Sequence, residues 1–122
     1  MRNGFVNSQT IKENKDFRRL YYRGKSKASP VLVTYAMRRN GGGCRTGITT
    51  SKKIGNAVAR NRSRRVIRAA YRELSHSISG SWDIVFVART GTSRVKMQDV
   101  HRAMSDHLLS LGVINELDKK AD

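Results

Sequence analysis

At 122 residues the chain suits one domain with one modest core, and its 38% apolar residues, gathered into periodic segments, exclude wholesale disorder. A single cysteine, Cys44, excludes an internal disulfide, offers no partner set for zinc, and suits a reducing cytoplasm. The net charge of +16, with a pI near 11.1, asks for a polyanionic partner, and no apolar run is long enough for a signal h-region or a transmembrane helix.

In chain order, residues 1–13 read as a polar leader, with 1–7 expected to be a flexible tail. Asn14 is placed to cap a short helix with Asp16 in its first turn and Gly24 past its end. Phe17, Leu20 and Tyr21 fall at i, i+3 and i+4 on one face of that helix. Residues 25–29 read as a basic, Ser-rich connector, and Pro30 marks the entrance to a strand over 31–37. Residues 38–45 form a hairpin-like loop carrying Gly41, Gly42 and Gly43, followed by a Thr- and Ile-rich strand over 46–51. After a connector containing Gly55, residues 57–74 read as the longest helix. Ala59, Ser63, Val66, Ile67, Ala70, Tyr71 and Leu74 form one arc of it, and Arg62, Arg64, Arg65, Arg68 and Arg72 crowd the other. A Ser- and Gly-rich loop leads to the apolar run 82–88, broken only by Asp83, which predicts a buried strand. Met97, Val100, Met104, Leu108 and Leu111 then mark an amphipathic helix ending at Gly112, with residues 113–122 expected to be a polar, flexible tail. The order helix, two strands, helix, strand, helix predicts a single α+β domain spanning 1–122, an α/β sandwich in which these three strands belong to one mixed sheet of about four strands packed with three helices. The second helix would cross between two strands.

The positive charge is not spread evenly. Between Asp16 and Glu73 there is no acid, and residues 17–72 carry 16 of the 25 Lys and Arg. The other nine bases match the nine acids, so the whole excess lies in one block. Nucleic acid is the usual partner for such a block. A membrane surface is the rival, but it wants an amphipathic helix with Trp, Phe or Leu opposite the bases, and the only tryptophan, Trp82, lies outside the block. Within the block, Lys52 and Lys53 precede a helix bearing Arg60, Arg62, Arg64, Arg65 and Arg68. Guanidinium forks pair bidentately with phosphate and stack on bases. Asn61 adds a neutral donor and acceptor, Gly55 allows close backbone approach, and the helix N-terminus favours anions. A merely solvated basic face is the alternative, but such faces normally carry balancing acids, which are missing here.

The segment resembles the signature of the ribonuclease P protein family, Lys-Lys-x-Gly-Asn-Ala-Val-x-Arg-Asn-Arg-x-[Lys/Arg]-Arg-x-x-Arg. Lys52, Lys53, Gly55, Asn56, Ala57, Val58, Arg60, Asn61, Arg62, Arg64, Arg65 and Arg68 all match it. The likeness covers roughly residues 8–111. It implies a ribosomal-protein-like α/β sandwich with a left-handed crossover carrying the Arg-Asn-Arg helix, where the general rule favours a right-handed one. It also implies a protein subunit of an RNA-based endonuclease that removes the 5′ leader of precursor tRNA, with magnesium and the catalytic groups held by the RNA. Carried over residue by residue, Lys52, Lys53, Asn56, Arg60, Asn61, Arg62, Arg64, Arg65 and Arg68 would bind RNA. Phe17, Tyr21 and Tyr35 would line a cleft for the single-stranded leader, where stacking and a basic groove hold a strand. Ordinary core packing is the alternative for these three, most of all for Phe17. Leu32 stands about where the family often has an aromatic, which would remove one stacking surface if Leu32 lined the cleft.

Signs of an enzyme acting alone are weak. His76, His101 and His107 are scattered, the carboxylates form no two-metal cluster, and Cys44 has no evident base. No catalytic residue and no metal ligand is assigned to this chain. The remaining rivals are a structural RNA-binding protein, which would show no preference for a leader, and a protein-only nuclease, which would cleave without added RNA.

Overall fold

The computed structural model describes residues 8–115. Its elements are β1 (Ser8–Thr10), α1 (Asn14–Arg23), β2 (Lys25–Ala28), β3 (Leu32–Arg38), β4 (Cys44–Thr49), α2 (Ala57–Leu74), β5 (Trp82–Ala88) and α3 (Met97–Ser110). The strands form one mixed sheet in the order β1-β4-β5-β3-β2. β4 runs parallel to both β1 and β5, whereas β3 runs antiparallel to both β5 and β2. The parallel pair β4 and β5 needs a crossover, and α2 supplies it, as the sequence order predicts.

Strand alternation sends side chains to two unequal cores. Leu32 and Ala36 of β3, Cys44 of β4, and Trp82, Ile84, Phe86 and Ala88 of β5 meet Val66, Ile67, Ala70, Tyr71 and Leu74 of α2 and Val100, Met104 and Leu108 of α3. On the opposite face Val85 meets Ile11 and Leu20, with Phe17, Tyr35, Met37 and Val87 packed around them. Central β5 is thus covered on both sides, which is why its sequence is apolar almost throughout. The buried arc of α2 is the one that its periodicity marks, including Ser63, whose hydroxyl donates to the Ala59 carbonyl at 3.0 Å.

Four expectations need correction. First, the sheet has five strands. β1 and β2 fall in segments read as leader and connector, because Ser-Gln-Thr and Lys-Ser-Lys-Ala show no apolar alternation. They are edge strands defined by pairing, and β2 is exposed along its length, with lysines that discourage further strand addition. Second, Glu13 flanks α1 and Asn14 is already helical. No side chain caps that end. Third, the strand expected at 46–51 begins at Cys44 and ends at Thr49, since Arg45 pairs with Asp83 in register and Ser51 turns away to accept a hydrogen bond from the Lys53 amide.

Fourth, the chain beyond Gly112 does not begin as a tail. Gly112 has φ +81°, and the amides of Gly112 and Val113 donate to the carbonyls of Leu109 and Leu108 at 3.1 and 2.9 Å. This left-handed closing turn satisfies the last helix carbonyls and folds Val113 and Ile114 into the main core. Ile114 also bridges to Ile78. The expected tail at 1–7 and the rest of the expected C-terminal tail, 116–122, lie outside the described residues.

One polar pair sits inside the main core. His107 is buried with Nδ1 2.9 Å from Oγ1 of the fully buried Thr34. Burial pushes the imidazole below its ordinary pKa. Asp106 pulls it back in part, and Lys27 adds to the fall. The unfolded chain therefore takes up the proton first, so stability should fall as pH drops below about 6.5 and level off once the folded imidazole is also protonated. Urea midpoints measured between pH 7.5 and 5 should show this loss, and His107→Gln should reduce the slope in that window. An unchanged slope would place the pH dependence elsewhere.

Candidate nucleic-acid interface

Lys52 and Lys53 lie on a short 3-10 turn directly before α2, and both are exposed. Gly55 has φ +136°, which a side chain would strain, and its carbonyl accepts a hydrogen bond from Nη1 of Arg60 at 2.7 Å. Asn56 caps α2, its Oδ1 accepting from the Ala59 amide at 3.0 Å. Its motif position thus has a structural role of its own: it fixes where the arginine helix starts. No acid occupies the first turn, so the positive end of the helix dipole is not offset there.

At 3.6 residues per turn, Asn61, Arg64, Arg65, Arg68 and Arg72 fall within roughly 100° of arc, opposite the buried residues. Nη1 of Arg64 donates to Oδ1 of Asn61 at 3.2 Å, which orients the amide amid the guanidinium groups. Arg62 stands apart on the flank toward α3, where its Nε donates to the Ser93 carbonyl at 3.0 Å. Arg60 and Arg68 are half-buried. Among the described residues, no ion pair joins Lys52, Lys53, Arg60, Arg62, Arg64 or Arg65 to a carboxylate. Glu73, on the same helix, instead pairs with His101 at 3.4 Å.

The three aromatic residues meet on the opposite face of the sheet. Phe17 and Tyr21 of α1 have ring centroids 6.5 Å apart, and Tyr21 stands edge-on to Tyr35 of β3 at 4.9 Å. Tyr21 is 42% exposed, Tyr35 and Phe17 half-buried. Phe17 comes closest to pure packing: a Cβ built on Gly47 would lie 2.8 Å from its ring. Leu32 is fully buried in the main core, on the other side of the sheet, so it does not line this cleft.

Periodicity and motif gave no hint of a cluster beside the cleft. Arg45 donates from Nε and Nη2 to both oxygens of Asp83 at 2.8 and 2.9 Å and reaches Asp16 at 3.5 Å. Arg39 lies 3.6 Å from Asp83, and Arg19 bonds Asp16 at 2.9 Å. Asp83 and Asp16 are both buried. The bond to Asp83 holds the Arg45 guanidinium above its ordinary pKa. The one available signal was Asp83 itself, an acid interrupting an otherwise apolar strand. These carboxylates are committed to arginines, and among the described residues no three His, Cys, Asp or Glu side chains gather as a metal-ligand set. Burial pushes the Cys44 thiol up, which suits an inert core residue.

A family model described as Ribonuclease P matches residues 5–112. The ribonuclease P protein component of Clostridioides difficile (strain 630) is 37% identical over 103 residues, covering 84% of this chain and 90% of that protein. The corresponding component of Listeria welshimeri is also 37% identical over 103 residues, covering 84% and 86%. Among solved structures, the Staphylococcus aureus RNase P protein superposes with a TM-score of 0.76 at 33% identity, covering 87% of this chain and 97% of that one. The Thermotoga maritima RNase P protein gives 0.71 at 25% identity, covering 80% and 93%.

Because Phe17 sits where a Gly47 side chain would go, Gly47→Ala should push the Phe17 ring and α1 off the sheet. A loss of about 1–3 kcal/mol in urea unfolding is expected, as for other overpacked cores. A loss below about 0.5 kcal/mol would mean that α1 yields freely and does not depend on this contact.

Proposed function

The chain belongs to the ribonuclease P protein family, and from that premise we propose that it binds the catalytic RNA through the arginine face of α2 and holds the 5′ leader of precursor tRNA across Tyr21 and Tyr35. Membership makes it the protein subunit of a ribonuclease involved in tRNA 5′ processing, with ribonuclease P RNA as its partner. The observation that carries the proposal is the set Lys52, Lys53, Arg60, Arg62, Arg64 and Arg65, on and before α2, which no carboxylate of the described residues engages. Rigid guanidinium forks on a helix suit phosphate in A-form or irregular RNA, where a backbone is read by charge and shape.

Phe17, Tyr21 and Tyr35 suit a different task. A single strand stacks its bases on aromatic faces, and Tyr21 leaves much of its ring exposed for that purpose. Phe17 supports the cleft from below by fixing α1 against Gly47. With the catalytic RNA on one surface and the leader on the other, the precursor would be positioned for cleavage by groups on the RNA, and binding at a distance can accelerate chemistry by orientation alone. The protein's positive charge would also screen the repulsion between two polyanions.

Hydrolysis is assigned to the RNA, together with the magnesium it requires. This chain's buried carboxylates, Asp16 and Asp83, do not suit that ion, because arginines already occupy their oxygens. The cytoplasm is the proposed compartment, consistent with a lone, buried cysteine, Cys44, that has no partner for a disulfide within the chain. No helix among the described residues is long and apolar enough to cross a membrane.

The reconstituted holoenzyme should bind precursor tRNA with a leader of several nucleotides more tightly than mature tRNA, in equilibrium binding at fixed salt. Tyr21→Ala should remove about 1–3 kcal/mol of that preference, the usual worth of one stacked base. A holoenzyme indifferent to the leader would contradict the cleft assignment and favour a purely structural RNA-binding role.

A further inference from the structure

We propose that Arg23, Lys25 and Arg38 form a further RNA phosphate site, at the end of the sheet away from the start of α2. This rests on the reading that the chain binds RNA. The topology fixes the location. α2 leaves the end of β4 and returns over its 18 residues, a length of about 27 Å, toward the beginning of the parallel strand β5, so its first turn and Trp82 lie at opposite ends of the sheet. Arg38 pairs in register with Trp82, Lys25 pairs with Ala36, and Arg23 lies in the last turn of α1 just before Lys25. Three basic side chains from three different elements therefore converge at that end.

They line a pocket of about 380 Å³ whose floor includes Met37, Trp82 and Leu111, and no carboxylate lines it. The neighbouring acids are already engaged: Asp16 takes Arg19 and Arg45, and Asp83 takes Arg39 and Arg45. Among the described residues no ion pair involves Arg23, Lys25 or Arg38. Mutual repulsion of three cations around an acid-free pocket is tolerated most readily where a polyanion neutralises them.

The site is also pre-organised. The Arg38 guanidinium carbon lies 5.4 Å from the centroid of the Trp82 ring, and that ring is fixed by its Nε1, which donates to the Ser79 carbonyl at 2.9 Å. An arginine held against a fixed ring loses less freedom on taking a phosphate than a mobile one. The apolar floor lowers the local dielectric and so strengthens the attraction. Met37 lies two residues beyond Tyr35 on the same face of β3, about 7 Å along the strand. The pocket thus lies at the end of the sheet remote from the Arg-Asn-Arg segment, lined by Met37 from the aromatic face and by Ala36, Trp82 and Leu111 from the opposite one. The chemistry is that of a phosphodiester, which either the precursor leader or the ribonuclease P RNA could supply.

The test measures affinity across a salt series for two RNAs: ribonuclease P RNA with the full chain, and precursor tRNA of long or absent leader with the holoenzyme. Lys25→Ala and Arg38→Ala are compared with Arg65→Ala. Lys25 lies on an exposed edge strand, so its loss leaves the core intact, and a thermal melt checks Arg38→Ala. Each substitution should lower the slope of log K against log salt by about 0.7–0.9 for one of the two RNAs. A loss seen only with the long leader identifies the leader as the phosphate source, and a loss with ribonuclease P RNA identifies that RNA. Unchanged slopes for both variants, with the slope of Arg65→Ala reduced, would overturn this site alone. Unchanged slopes for all three, Arg65→Ala included, would overturn the RNA-binding assignment of α2 as well.

Discussion

Two buried carboxylates decide where the positive charge of this molecule goes. Among the described residues, Asp83 on β5 and Asp16 on α1 are the acids that the fold brings inside, and Arg45 spans them, with Arg39 and Arg19 at the sides. A carboxylate this deep would be very costly unpaired, and removing one partner of such a pair costs roughly 3–5 kcal/mol. The cluster ties the first helix to the sheet and commits both buried acids to arginines. Among the described residues, Lys52, Lys53, Arg60, Arg62, Arg64 and Arg65 around α2, and Arg23, Lys25 and Arg38 at the far end of the sheet, join no ion pair. The same ion pairs that fix the aromatic cleft thus leave charge elsewhere for an external polyanion.

The sheet then separates the two proposed RNA contacts. Its larger core, beneath α2 and α3, is a conventional apolar interior that holds the arginine helix rigid. Its smaller core, beneath α1, is thin enough that aromatic rings remain partly exposed around Leu20 and Val85. A strongly apolar second face would bury Tyr21, and an open face would leave α1 unsupported. Gly47 resolves the conflict locally by giving the Phe17 ring room against β4.

Much of this was legible in the residues. The buried arc of α2, the apolar run of β5 and the 3.6-residue period of α3 have strong periodic signals, and the structure follows them. The signature around Arg60, Asn61 and Arg62 pointed to the family, and the family match bears that out. The failures have a common physical origin. β1 and β2 are polar segments whose extended form comes from a neighbouring strand, so no local pattern betrays them. Val113 and Ile114 were placed in a tail because polar residues follow them, while the left-handed turn at Gly112 and the bridge from Ile78 were not visible. The Asp83–Arg45 pair joins positions 38 residues apart, a separation at which sequence carries no pairing information. The phosphate pocket at Arg38 depends on three elements meeting, which only the topology reveals.

The central claim is that this chain supplies positive charge and position to a reaction carried out by RNA. The most direct measurement is cleavage of precursor tRNA by a bacterial ribonuclease P RNA at low magnesium, with and without the chain, alongside the chain alone. The account predicts that the chain restores cleavage which the RNA performs poorly by itself, and that the chain alone cuts nothing. Cleavage by the isolated protein, or no gain when it joins the RNA, would contradict it.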